Sequence, residues 1–121
     1  MQNAEKDLKA RTTTFSLRVI KMYSSLPKST VAQVLGKQVL RSATSVGANY
    51  READRARSRA EFISKMGDCL RELDETAYWL ELFVESGELK AEALKELRDE
   101  ANQLIAIFVT IIKRSKETDR R

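Results

Sequence analysis

Four arginines, Arg51, Arg55, Arg57 and Arg59, crowd one short stretch of this sequence. Guanidinium forks at such density suit phosphate oxygens, which they can grip in pairs of hydrogen bonds. Lys6, Lys9, Arg11, Arg18 and Lys21 could extend a basic surface along the chain's first helix. Glu52 and Asp54 lie among the four arginines, so local ion pairs at a solvated helix end explain the cluster just as cheaply. No aromatic residue interleaves it, which points to backbone contacts on RNA or DNA rather than to base stacking.

Other chemistry is largely removed by composition. The chain has no histidine, which eliminates imidazole acid–base catalysis, Ser-His-Asp and Cys-His pairs, and every His-containing metal site. Its single cysteine, Cys69, cannot form an intrachain disulfide or a thiolate cluster; it reads as a small buried hydrophobe in a cytoplasmic protein. Ser42, Ser45 and Asn49 form a polar group in a run of small residues, but nothing beside them could activate a hydroxyl. Ser42 and Asn49 therefore read as packing and register devices, small residues for close approach and an amide that fixes alignment. Glu72, Asp74, Glu75, Glu92, Glu96, Asp99 and Glu100 abound later in the chain. A di-iron bundle would need paired Glu-x-x-His motifs, so these acids read as a hydrated outer face. No catalytic residue, metal or cofactor is expected, and the chain reads as no enzyme.

What positions these groups is helical. The sequence is long enough for one domain, spanning residues 1–121, and its four glycines and one proline leave few places to turn. A first helix is predicted over about 5–26, with Leu8, Phe15, Val19, Met22 and Leu26 as its stripe, a polar gap at Arg11–Thr12, and Pro27 as its stop. A second, over 29–54, opens on Ser29 or Thr30 as N-cap and carries the seam Leu35, Val39, Ser42, Ala43, Val46, Asn49, Tyr50 and Ala53. A third, over 59–86, starts at the capping box Ser58-Arg59-Ala60-Glu61. Its stripe is Phe62, Met66, Leu70, Leu73, Ala77, Leu80 and Val84, ending at Gly87. A fourth, over 90–116, repeats the pattern with Leu94, Leu97, Ala101, Leu104, Phe108 and Ile111 and frays into a charged tail, 113–121. Short connections predict an all-α, antiparallel, up-down-up-down four-helix bundle with left-handed packing. Leu104–Ile112 is too short to span a bilayer, so no membrane role is expected, and the N-terminus lacks the apolar block of a signal peptide.

Charge divides unevenly along this framework. Residues 1–59 hold twelve Lys/Arg against four Asp/Glu, and residues 60–121 hold ten against fourteen, which predicts a basic and an acidic side. Apolar residues are in surplus for one bundle. With Leu70 and Ala77 at a and Leu73 and Leu80 at d, the residues Tyr78, Trp79 and Leu82 fall off the seam. Ile107 and Val109 do so in the fourth helix, and Leu17 and Ile20 in the first. Grouped outward aromatics mark interfaces, so a homo-oligomer joined through Tyr78, Trp79, Leu82 and Ile107 is expected.

The segments Arg41-Ser42-Ala43-Thr44-Ser45-Val46-Gly47-Ala48-Asn49, Arg57-Ser58-Arg59-Ala60-Glu61-Phe62 and Leu70-Arg71-Glu72-Leu73-Asp74-Glu75-Thr76 carry a resemblance. Between Leu40 and Gly87 the chain resembles the small bacterial four-helix-bundle family encoded in 23S ribosomal RNA intervening sequences. Tyr50-Arg51-Glu52-Ala53 stands where many members have Ile-Ala-Glu-Gly. The resemblance implies antiparallel bundles joined as five-fold rings, hence a pentamer. A related accessory protein of diversity-generating retroelements is similar in fold and binds nucleic acid and a reverse transcriptase. The resemblance therefore implies an RNA, DNA or reverse-transcriptase-like partner, and no catalytic residues carry over.

Overall fold

A computed structural model describes residues 4–119, with the side chains of 4–7 and 119 outside the description. Four helices make up the chain: α1 Ala4–Ser24, α2 Thr30–Asp54, α3 Arg59–Glu85 and α4 Ala91–Asp119. The boundaries follow the punctuation in the sequence. Pro27 disfavours a helical residue before it, and the last turn of α1 tightens into bonds from Ser25 N to Met22 O and Leu26 N to Tyr23 O. Ser29 caps α2, its Oγ accepting from Ala32 N at 3.1 Å. Ser58 Oγ accepts from Glu61 N at 3.0 Å, while the Glu61 carboxylate reaches back to Arg57 N at 2.7 Å. Gly87 takes φ of 81°, the left-handed turn that ends α3 without a Cβ penalty.

Two ends differ from the expectation. α1 stops at Ser24 rather than 26. The charged tail does not fray early: α4 runs helical to Asp119, because Ile111 is buried, Ile112 packs on the core, and no Gly or Pro interrupts. Lys and Arg in those last turns also complement the negative end of the helix dipole.

Contacts between helices run in opposite senses. Gly47 faces Thr12 while Gly36 faces Tyr23, so α1 and α2 are antiparallel. Ser42 meets Thr76 and Glu52 meets Lys65, so α2 and α3 are too. Arg11 pairs with Glu100, while Arg18 and Met22 share a groove with Glu92 and Leu97, which opposes α1 to α4. Close approach is made by small residues. A Cβ at Gly36 would stand 2.4 Å from Leu26 Cδ1 and 3.0 Å from Tyr23 Cδ1; at Gly47 it would meet Thr12 Oγ1 at 3.4 Å.

The polar gap in α1 is thereby accounted for. Thr12 is buried, its hydroxyl donating to Leu8 O at 2.7 Å, and Arg11 leans away to Glu100. In α4 every stripe residue expected from the spacing is buried. The seam of α3 is rotated: Met66, Cys69, Leu73, Thr76, Leu80 and Phe83 are buried, while Leu70, Ala77 and Val84 are half-buried. The reason is that α3 packs against both α2 and α4, so its buried stripe is centred between its neighbours, on the d and g positions of the expected heptad.

Candidate nucleic-acid interface

The α2–α3 junction is built from two helix ends. Residue 55 caps α2, its N–H bonding to the carbonyls of Glu52 and Ala53. Arg57 N is held by Glu61, which fixes the connection's backbone while Arg55, Arg57 and Arg59 stay exposed. Arg51, one turn earlier, is also exposed, and its Nη2 donates to Thr13 Oγ1 at 3.3 Å. The four arginines of the sequence pattern are therefore gathered at one end of the bundle. Of the acids among them, Glu52 is taken by Lys65 at 2.7 Å. That hydrogen bond, with the charge of Glu52, raises the Lys65 pKa above its ordinary value. Lys65 had no distinguishing signal in the sequence. Of the residues proposed to extend the surface, Lys9 is exposed and Arg11 is bound to Glu100; the side chain of Lys6 lies outside the described residues.

The opposite charges of the two halves meet along the seams. Arg11 grips Glu100 with two bonds, Nε to Oε2 at 3.1 Å and Nη2 to Oε1 at 2.7 Å. Arg41 reaches Glu75 at 2.8 Å and Glu72 at 3.5 Å. Part of the basic and acidic surplus is thus spent on stitching α1 to α4 and α2 to α3. The junction arginines are not drawn into those seams.

The small-residue centre of α2 contains one buried polar contact. Ser42 Oγ and Thr76 Oγ1 lie 2.8 Å apart, with Thr76 also donating to Glu72 O at 2.8 Å. Asn49 stands half-buried at the seam's edge. Cys69 is fully buried, its thiol 3.6 Å from Val46 O. Burial, followed by the nearby Asp68 charge, pushes its pKa from 9.0 up to about 12. Thiol reagents at pH 8 are therefore expected to leave the native protein unlabelled and to label it only on unfolding. The raised value also fixes a sign: stability is full below the unfolded thiol's pKa and falls as pH rises from there toward 12. Rapid labelling of native protein would contradict the packing around Cys69.

Among the expected interface residues, Tyr78 is 52% exposed. Trp79 is not fully outward: it is half-buried and packs on the core, its ring 5.2 Å from that of Tyr78. Its Nε1 is buried without a hydrogen-bond partner. The rotation of the α3 seam explains this, because it turns Trp79 onto the flank of the buried stripe. Leu82 is half-buried, and Ile107 is half-buried against the core. Leu17, Ile20 and Val109 are exposed, as are Val31 and Val34, which the sequence pattern did not single out. The register brings Val34 level with Leu82.

An open groove of about 570 Å³ lies between the end of α1 and the start of α4, with Arg18 and Lys21 facing Glu92 and Glu96 over Met22 and Leu97. It is at the end of the bundle away from the arginines. Among the described residues no group of three or more His, Cys, Asp or Glu could hold a metal, and no helix is long and apolar enough to cross a membrane.

The chain is similar over 90% of its length to the crystal structure of a protein of unknown function from the S23 ribosomal protein family of Bacteroides thetaiotaomicron VPI-5482. The two share 36% identity and superpose with a TM-score of 0.84, covering 97% of that chain. No curated protein matches. Residues 5–110 match the model of the 23S rRNA-intervening sequence protein family, a span that takes in all four helices and the arginine junction. On that match, the chain belongs to the 23S rRNA-intervening sequence protein family.

Proposed function

We propose that this protein is a non-enzymatic, cytoplasmic homo-oligomer that binds nucleic acid, or a ribonucleoprotein, through phosphate contacts at its basic end. The observation that carries the reading is the junction itself. Arg51, Arg55, Arg57 and Arg59 are exposed together on a backbone fixed by two helix ends, while Glu52 and Glu61 are engaged by Lys65 and Arg57 N. Contacts of this kind position a protein on the sugar–phosphate chain and carry no base preference. A ring of copies, five by family resemblance, would repeat the cluster and multiply its field. A reverse-transcriptase-like partner bound to the same nucleic acid fits this arrangement.

A low-salt mobility-shift assay with RNA and with DNA of arbitrary sequence tests the reading. Shifts with both support it, and the absence of any shift overturns it.

The exposed Tyr78, Val31 and Val34 favour a second reading, a structural oligomer with no nucleic-acid role. Both readings require self-association, for which Tyr78→Glu is the cleaner probe than any change at Trp79, since Trp79 also packs on its own core. The variant is expected to sediment as a smaller species than the wild type with unchanged helicity. A wild-type protein that scatters light as a monomer at micromolar concentration would count against both.

A further inference from the structure

The end of α4 brings a second set of cations to the level of the arginine junction. Phe108 on α4 and Tyr50 on α2 stack edge to face with ring centres 6.1 Å apart. Both helices run opposite to α1, so they run in the same direction. Five residues beyond each, at about 1.5 Å per residue, come Lys113 on α4 and Arg55 on α2. Arg114 and Lys116 follow, and all three α4 cations are exposed. Lys9 is exposed one turn before Thr13, the residue that Arg51 touches, and so faces the same end. The acids exposed there among the described residues are Asp54, the Lys65-bound Glu52 and Glu117. The segment carrying Lys113, Arg114 and Lys116 lies beyond residue 110, outside the stretch matched by the family model.

We infer that the last turns of α4 form the second half of one phosphate-binding surface, and that this surface takes a double-helical nucleic acid. The inference rests on the nucleic-acid reading above and names the class of ligand. Cations are spread over several helix ends about 8–10 Å apart, a span that meets phosphates of both strands of a duplex. The aromatic residues at this end are no platform for unstacked bases: Tyr50 and Phe108 are buried and Phe62 packs on the core. A single strand therefore gains no stacking here, whereas a duplex offers a phosphate charge about every 1.7 Å of axis.

The test is binding of the full chain to duplex RNA of arbitrary sequence, and to one of its strands alone, across a salt series. For K113E/R114E/K116E the slope of log affinity on log salt is expected to flatten by about 2–3, with affinity for the duplex roughly tenfold weaker or more. Circular dichroism checks that α4 stays helical, and K113Q/R114Q/K116Q gives the same direction of change should the reversal not fold. A variant that binds like the wild type, while reversal at Arg55, Arg57 and Arg59 weakens binding, overturns this inference and leaves the proposed function standing. Equal or tighter binding of the single strand overturns the assignment to duplex. No binding by the wild type at low salt overturns both.

Discussion

R55E/R57E/R59E is expected to weaken binding to RNA and DNA of any sequence by roughly a hundredfold at low salt, the largest functional effect of any substitution considered. Each reversal removes one cation from the junction and replaces it with a charge that repels phosphate. The three side chains are exposed and lie outside the core, so the fold should tolerate the change within about 0.5 kcal/mol. The dipoles partly compensate: an acid at residue 59 suits the start of α3, and an acid at residue 55 opposes the end of α2. Loss of binding with an unaltered melting curve is the expected pair of results. A variant that binds as well as the wild type would remove the junction from the interface.

Phe108→Ala is the substitution expected to cost most stability, about 3–5 kcal/mol for the lost burial and the cavity it leaves. Phe108 is fully buried, and its loss also deprives Tyr50 of its edge-to-face partner, worth about 0.5–1.5 kcal/mol. A bundle of this size has on the order of 5–15 kcal/mol to lose. Urea unfolding should show a midpoint far below the wild type's with a similar slope. The effect should exceed that of Tyr78→Glu severalfold in the same assay, since Tyr78 is half exposed and contributes little to its own core. A shift of less than about 1 kcal/mol would contradict the placement of Phe108 in a close-packed interior.

Where the sequence was legible, a local rule sufficed. Ser58 and Glu61 announce the start of α3 because a capping box needs only residues a turn apart, and Gly87 announces its end because its φ is positive. The stripe of α4 reads correctly since that helix turns a single face inward. The α3 seam does not, because its centre depends on where α2 and α4 stand, which no local spacing records. Placing Leu70 and Ala77 at the core left Trp79 outside, whereas burial of Cys69, Thr76 and Phe83 brings it to the flank.

The candidate site shows the same division. The arginine cluster is visible as a sequence pattern, but the engagement of Glu52 by Lys65 is a contact between helices and is invisible to spacing. Lys113, Arg114 and Lys116 looked like a fraying tail because charge dominates their window. Ile111 and Ile112, anchored on the core, carry the helix on and bring those cations to the junction's level. Residues 41 and 11 looked like part of a basic surface, yet they are tied into the seams by Glu72, Glu75 and Glu100.

The central claim is that exposed cations at one end of this bundle hold the phosphate backbone. Its most direct measurement is the affinity of the wild-type protein for duplex RNA of arbitrary sequence as a function of salt. With Arg51, Arg55, Arg57 and Arg59 each neutralising a phosphate, the logarithmic slope is predicted to be about −4 or steeper. A slope near zero, or no binding in dilute buffer, would contradict it.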